Sequence, residues 1–427
     1  MNQQTGNVSW DRSHHSYFEY FALDLQDFTK THKLPLHGSQ DVNHGLELQK
    51  DRHQEKNIRM KYEFVPRGHF SDRSPFRKSW SDERYVSTLE CRSCQMIRTF
   101  FRNQKKVHEY KKNMLFYQVI TNVNNGDAVA EDLYPCPACG AISKIGALQN
   151  GCPYCGTFFE MKELFPKITN FYFIEDTGGT KQEVKHEIRK KIIPCAVVST
   201  LALMLYFFFG SDQRGHLFYA LISGTIGGIV MGAIYGYLWW ALGMLGGLFI
   251  NAGKSIPMLI GTVGSGGRFV SQMRRYSPEF SFEYFSDKMV SILKMLVYAK
   301  DPQELPYYVG EPLGNLFSDI IDSSYSGAVA LKRFQVQGEY CYVTVDIYME
   351  DIYDRGNRIF EKRDTIRMYL QKNIRKPIDY NFSIERIQCK NCGGSFNAAM
   401  RRACPNCGSR YEIGDDDWVV LKVVKIK

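Results

Sequence analysis

Eight of the twelve cysteines fall into two sets whose spacing is suited to holding a metal ion. The sets are Cys136, Cys139, Cys152 and Cys155, then Cys389, Cys392, Cys404 and Cys407. A two-residue gap lets both sulfurs of a C-x-x-C pair reach one ion from a tight turn. The loop between the two pairs has twelve residues in the first set and eleven in the second, which is long enough for the second turn to fold back and face the first. The sequence therefore predicts two zinc ribbons, at 133–160 and 389–412, each closed by four thiolates around one structural zinc ion.

A glycine follows the second cysteine of all four pairs: Gly140, Gly156, Gly393 and Gly408. Glycine tolerates positive φ, which turns backbone N–H groups toward the sulfurs, so we expect the same metal-binding turn four times. The competing interpretation is two pairs of disulfides, which would require an oxidising compartment.

The fifth pair, Cys91 and Cys94, is followed by glutamine and has no second pair at ribbon distance. His69 or His108 would have to complete a third metal site there, and two ordinary reduced thiols are the favoured interpretation. The two unpaired cysteines, at 195 and 341, lie among apolar residues and are interpreted as small core residues.

Two uncharged stretches predict membrane-spanning helices. The first, 192–210, has the length of one span. The second, 217–250, is longer than the roughly twenty residues that one span needs. We expect one span over 217–239, with Trp239 and Trp240 at an interface and a Gly-rich extension along the membrane surface. Two spans with a turn are the alternative.

Basic residues flank this predicted hairpin on both sides, and the loop between the spans has a single arginine. They are Lys181, Lys185, Arg189, Lys190 and Lys191 before it, and Lys254, Arg268, Arg274 and Arg275 after it. The positive-inside rule then predicts a multi-pass protein of the cell membrane with both termini in the cytoplasm, where thiols stay reduced. The polar first residues, Met1–Gly6, predict no cleavable signal peptide.

Within the second span a glycine recurs at every fourth position: Gly224, Gly228, Gly232 and Gly236. Such a stripe lets another helix approach closely. The partner helix is either the first span, through Ala196 and Ser199, or the same stripe of a second copy of the chain. The sequence leaves both open.

The flank before the membrane, 1–132, is of uncertain fold. Strands are expected at 62–65 and 115–120. A basic run is interpreted as a solvated helix face, with binding of anionic lipid or nucleic acid as the alternative. Its members are Arg98, Arg102, Lys105, Lys106, Lys111 and Lys112. The histidines of this flank are scattered and are expected to be solvated.

The flank after the membrane predicts an α+β domain over 277–388 plus 413–427. Helical spacing starts after Ser277, with Phe282, Phe285 and Met289 on one face, and a second helix is expected over 313–323. Alternating apolar residues at 341–349 and 366–370 predict antiparallel strands. The second ribbon is inserted before the last strand. A cone-shaped domain with an apolar pocket between helix and sheet follows from this order. The residues expected to converge on that pocket are Phe282, Phe285, Met289, Leu293, Val343, Val345, Ile347 and Met368.

The order of parts resembles the Tim-forty-four-like family, named after the membrane-docking subunit of the mitochondrial import motor, and more narrowly its bacterial members with zinc ribbons. The residues that carry the resemblance are the glycine-stripe span, 164–173, 280–285, the strands within 328–370, the second ribbon and 416–420. The resemblance covers residues 134–427. It implies a fold like nuclear transport factor two for 277–388 plus 413–427, and a domain that sits against membrane and binds lipid or polypeptide. The chaperone-recruiting region of mitochondrial relatives has no counterpart in this sequence.

These observations predict a non-enzymatic scaffold anchored in the membrane, with membrane lipid and an unfolded or membrane polypeptide as partners and a role in protein transport. The alternative is a membrane-tethered nucleic-acid-binding ribbon protein, but the charges around both ribbons are too mixed or sparse for a phosphate-binding face. An enzyme is disfavoured because four thiolates leave zinc no open position. Asp346 and Asp351, the candidate general bases, have no histidine partner in sequence.

Overall fold

The computed structural model describes residues 17–67, 78–81, 85–123, 130–176, 181–210, 217–262, 265–278, 280–356, 358–375, 386–389, 391–397, 401–411, 413–415 and 417–426. The chain forms two compact units, Met1–Asp176 with Gly261–Lys427, and Thr177–Ile260. The fold is mixed α+β, with two four-cysteine clusters in the first unit and a hairpin of two long apolar helices centred on the second, as predicted.

The first part of the large unit is a sheet covered by two helices. Its elements are α1 (Tyr17–Thr31), α2 (Gln40–Glu55), β1 (Ile58–Pro66), β2 (Lys78–Ser81), β3 (Tyr85–Arg102), β4 (Lys105–Val123), β5 (Leu133–Pro135), β6 (Ile142–Lys144), α3 (Ile145–Gln149), α4 (Met161–Leu164) and β7 (Lys167–Glu175). The antiparallel sheet has the order β1-β3-β4-β7, with β2 beside β3. The alternating side chains Ile58, Met60, Tyr62 and Phe64 are buried in one core with the apolar face of α1.

After the apolar hairpin, formed by α5 (Lys181–Gly210) and α6 (Leu217–Thr262), the chain builds a second sheet with helices. Its elements are α7 (Ser265–Met273), α8 (Phe282–Tyr298), β8 (Ile320–Gln337), β9 (Tyr340–Asp354), β10 (Ile359–Asn373), β11 (Arg386–Gln388), β12 (Ser395–Asn397) and β13 (Val419–Ile426). The sheet order is β8-β9-β10-β13, all antiparallel.

The helix predicted over 313–323 is wrong. Residues 313–319 form turns, and Ile320 already begins β8. The spacing of Leu313, Leu316 and Phe317 is typical of a helix. Gly314, however, has a φ of +53°, which is incompatible with an α-helix. The helix predicted after Ser277 begins instead at Phe282, because the hydroxyl of Ser281 accepts the N–H of Tyr284 and caps it.

The two parts of the large unit repeat one topology. In each, two helices precede the strands, a four-cysteine ribbon follows β4 or β10, and the next long strand, β7 or β13, returns beside it. The first repeat has one additional strand, β2, which pairs with β3. The pairing of the last strand is also similar in the two repeats. One register shift interrupts the pairing of β4 with β7, and one interrupts the pairing of β10 with β13. We call residues 17–176 the first repeat and residues 265–426 the second repeat.

The two repeats contact each other through several elements, including β7 with β8. Helix α2 packs on α8, β5 lies near β11, and β6 lies near β12. The cores merge at this contact: Ile321, Ile352 and Ile359 of the second repeat belong to the core of the first. Tyr172 of the first repeat belongs in turn to the core of the second.

The prediction of a solvated helix face for the basic run is wrong, because the run forms the two long strands β3 and β4. Three of its members pair with acids of the second repeat. Arg98 donates to Asp322 at 2.8 Å, Arg102 to both oxygens of Asp354 at 2.7 Å, and Lys112 contacts Glu350 at 3.4 Å. Three of the six basic residues therefore bind acids of the second repeat, and Lys106 pairs with Glu109 of its own strand.

Helices α5 and α6 each contain a segment long and apolar enough to cross a membrane, Lys185–Phe209 and Leu221–Gly243. Helix α5 begins eleven residues before the predicted start at 192, since its charged first turns are also helical. Helix α6 is continuous from Leu217 to Thr262, so the alternative of a turn inside the second apolar stretch is not observed. The predicted loop at 211–216, which includes Gln213, lies outside the described residues.

The glycine stripe of α6 packs against α5 of the same chain. A Cβ atom added at Gly228 would lie 2.2 Å from Thr200 Cα, and one at Gly232 would lie 2.2 Å from Ala196 Cα. Ala196 is a predicted partner, whereas Thr200 takes the place expected for Ser199. Of the two alternatives, the stripe serves the intramolecular one.

Replacing Gly228 by leucine should separate the two helices, because the side chain has no room against the backbone of Thr200. Cys195 lies in this contact, next to Ala196. We expect maleimide to alkylate Cys195 at least about tenfold faster in the variant, measured by mass spectrometry in detergent. Leu238→Ala, at a half-exposed position away from the stripe, is the control. Equal rates in both variants would show that the stripe has no packing role.

Candidate metal centres

The four cysteines of the first ribbon converge as predicted. All four sulfurs lie within 4.8 Å of one another, with Cys136 Sγ 3.7 Å from Cys155 Sγ and Cys139 Sγ 3.8 Å from Cys152 Sγ. The short strands β5 and β6 present the first pair, and a loop with the single-turn helix α3 returns the second pair opposite it.

The second ribbon repeats this geometry. Cys389 Sγ lies 3.6 Å from Cys407 Sγ, and Cys392 Sγ lies 3.6 Å from Cys404 Sγ, again within a group of four. Strands β11 and β12 pair in the same register relative to their cysteines as β5 and β6. The two centres are therefore two copies of one site.

The backbone of each turn has the conformation expected from the glycines. Gly140, Gly156, Gly393 and Gly408 have φ between +73° and +75°, and each donates its N–H to the carbonyl of the first cysteine of its pair. A side chain at these positions would be strained, which explains the recurrence of glycine.

Two hydroxyls support thiolate character in the second pair of each ribbon. Thr157 Oγ1 lies 3.3 Å from Cys155 Sγ, and Ser409 Oγ lies 3.2 Å from Cys407 Sγ. Hydrogen bonding by these hydroxyls lowers the pKa of Cys155 to about 6 and that of Cys407 to about 5. These two thiols are deprotonated near neutral pH, which suits metal binding. The pKa of Cys136 and of Cys392 is instead raised to about 12, so a metal ion would have to displace their protons.

The sulfur geometry fits a tetrahedral metal ion. With metal–sulfur bonds of about 2.3 Å, as zinc has, the edges of an S4 tetrahedron measure about 3.8 Å. The four close sulfur pairs lie 3.6 to 3.8 Å apart. A disulfide needs about 2.05 Å, so the disulfide interpretation is not observed. In each centre the first cysteine of each pair is buried and the second is exposed.

The other cysteines do not form a third centre within the described residues. Cys91 and Cys94 lie on β3, where residues three apart point to opposite faces of the sheet, so they cannot share one ion. Burial raises the pKa of the Cys94 thiol to about 12. His69 lies outside the described residues, and His108 contacts the ring of Tyr110.

Both predicted candidate bases contact other side chains of the second repeat. Asp346 accepts both a 2.6 Å and a 2.9 Å hydrogen bond from Arg367. Asp351 is fully buried with Ser323 Oγ at 2.5 Å, and burial raises its pKa to about 8. His53, expected to be solvated, is instead buried with its ring 2.6 Å from the carbonyl of Ile321. No local signal in the sequence marked His53 as an interface residue.

The predicted pocket between α8 and the second sheet is not formed by the residues assigned to it. Phe285, Met289, Leu293, Val343, Val345, Ile347 and Met368 are buried in one core, and Phe282 packs against that core. The apolar side chains of α8 pack directly against the sheet and occupy the space where the pocket was predicted.

Comparisons with protein-family models, with curated proteins and with solved structures gave no match. The resemblance to Tim-forty-four-like proteins therefore stays a prediction.

Proposed function

We propose that the protein is a membrane-anchored scaffold stabilised by two structural zinc ions, without catalytic activity of its own. The observation that carries this proposal is the closed arrangement of four thiolates in each ribbon. Zinc held by four thiolates has no open coordination position, so it supplies a cross-link that holds a small module folded. In this protein the cross-link would hold together the ribbon that connects β4 to β7 and the ribbon that connects β10 to β13.

The apolar hairpin supports the membrane anchor. Its side chains are large, apolar and exposed, as in Val198 at 66% and Phe209 at 78% exposure. Water would make such a surface unfavourable, whereas the acyl chains of a bilayer would cover it. A buried helix of a soluble protein would have its apolar residues covered by protein.

The partners that we propose are membrane lipid and an unfolded or membrane polypeptide, in a role such as protein transport, as the Tim-forty-four-like resemblance implies. A membrane-tethered nucleic-acid-binding ribbon protein stays the alternative, because both ribbons are present. Pairing of Arg98, Arg102 and Lys112 with acids of the second repeat removes three cations of the basic run from a phosphate-binding surface.

The membrane topology of the termini and of the loop between the helices tests the proposed anchor. Both termini should be protected from a membrane-impermeant reagent in intact cells, because the basic flanks favour the cytoplasm. A cysteine or reporter introduced near Gln213 should be accessible from outside. A carboxyl terminus reached from outside would contradict the proposed hairpin, and a soluble protein after cell fractionation would remove the anchor altogether.

A further inference from the structure

A cleft lies between the two repeats, at the contact of α2 with α8. Its walls come from both repeats and include Val42, Gly45, Leu46, Phe171, Lys294 and Asp322. The cavity measures about 40 Å³, which is room for about three water molecules. A head group of three or four heavy atoms would fill it, while the remainder of a ligand would lie at the mouth.

Gly45 keeps part of this cleft open. It lies inside α2, where glycine is less favourable than alanine. No atom lies within 4 Å of the position that its Cβ would take, and its φ is not positive. Neither close packing nor backbone conformation therefore requires a glycine at this position. Free space toward the cleft is what the glycine provides.

Lys294 provides a positive charge to the same cleft. Its Nζ donates to the carbonyl of Phe171 at 2.6 Å and lies 4.5 Å from the centre of the Phe171 ring. An ammonium has three donors, and the carbonyl of Phe171 is its one hydrogen-bond acceptor within the described residues. No described carboxylate lies within ion-pair distance of Nζ. Burial lowers the pKa of Lys294 to about 8, so the side chain stays mostly protonated at neutral pH.

Asp322 and Asp287 act on Lys294 through space and partly offset the effect of burial on its pKa. Asp322 itself accepts hydrogen bonds from Arg98 at 2.8 Å, Tyr62 at 3.0 Å and Gln49 at 3.0 Å. Asp41 lies in the first turn of α2, where the helix dipole favours a negative charge. A partly buried cation without a carboxylate at ion-pair distance has unused hydrogen-bond donors, and an anionic group of a ligand would accept from them.

We infer that this cleft binds a small carboxylic acid with an apolar chain, whose carboxylate pairs with Lys294 in the space beside Gly45. Three heavy atoms of a carboxylate suit the cavity, and Val42, Leu46 and Phe171 offer an apolar wall to the chain. The residues that line the cleft include none of the cysteine ligands and none of the helices α5 and α6. A negative binding result would therefore leave the proposed scaffold function unaffected, and failure of the scaffold proposal would leave this site unaffected.

Isothermal titration of the full-length protein in detergent with octanoate, octylamine and octanol, all below their micellar concentrations, tests the inference. Octanoate should bind saturably, whereas octylamine and octanol should bind at least about tenfold more weakly, because they lack the carboxylate that pairs with Lys294. Lys294→Met should weaken octanoate binding by about tenfold or more. Gly45→Phe, which fills the space, should do the same, and Gly45→Ala is the matched control that should bind nearly as wild type.

Circular dichroism of each variant establishes that the fold is intact before binding is compared. The wild-type comparison of octanoate with octylamine does not depend on any variant. Absence of saturable octanoate binding, or equal binding of octylamine, would overturn the inference. Equal octanoate affinity in Lys294→Met or in Gly45→Phe would also place the ligand elsewhere.

Discussion

Replacing Arg98 by methionine should lower the free energy of unfolding of the large unit by about 3–5 kcal/mol. Arg98 is 1% exposed, and its partner Asp322 is 4% exposed. Removing the guanidinium leaves the Asp322 carboxylate buried without its counterion, at the contact between the two repeats. Tyr62 and Gln49 would still donate to it, but neither carries a charge. Urea titration in detergent, followed by far-ultraviolet circular dichroism, measures the change.

The matched control for Arg98 is Arg363, which also joins the two repeats. Its Nη2 lies 3.3 Å from Glu175, but the two side chains are 54% and 41% exposed. Solvent screens such a pair, so Arg363→Met should cost less than about 1 kcal/mol. If both substitutions cost the same, the buried pair does not hold the repeats together as described.

Replacing Cys392 by serine should remove one of the two metal ions and unfold the second ribbon. Structural zinc in modules of this size contributes apparent free energies of about 10–16 kcal/mol, so the ribbon has little else to keep it folded. Its local core is small, with Cys389, Cys404 and Phe396 buried and Tyr411 beside them. The final strand β13 follows this ribbon and should exchange its amide hydrogens faster.

Metal content and hydrogen exchange of the Cys392→Ser protein measure this effect. Cys139→Ser should act in the same way on the first ribbon and on β7. Cys91→Ser is the control, because Cys91 belongs to neither cluster. Two equivalents of metal retained in Cys392→Ser would contradict the assignment of four thiolates to one ion.

Local spacing made the metal centres and the hairpin predictable. The cysteine turns depend on a few neighbouring residues and on glycines whose φ the structure shows to be positive. The apolar stretches are likewise recognised from consecutive residues alone. We also predicted strands at 62–65 and 115–120, and the insertion of the second ribbon before the last strand. Apolar and polar residues alternate in β1, β4 and β9, and this alternation is visible in the sequence.

The duplication was not predicted, although the sequence Phe-Glu-Tyr-Phe occurs at 18–21 in the first repeat and at 282–285 in the second. Most of what the repeats share is the order of elements and the ribbon. The contact between the repeats depends on residues far apart in sequence. Arg98 and Asp322 are 224 positions apart, and nothing near Arg98 distinguishes it from a solvated arginine. The filled cone was missed for a related reason, since an apolar helix face has the same pattern whether it lines a pocket or a core.

X-ray absorption at the zinc edge, with metal quantification on the purified full-length protein, tests the central claim of two structural zinc ions most directly. We expect two zinc ions per chain, each with four sulfur neighbours at about 2.3 Å and no nitrogen or oxygen ligand. Fewer than about one and a half equivalents, a first shell with oxygen or nitrogen, or disulfides within either cysteine set would contradict the account.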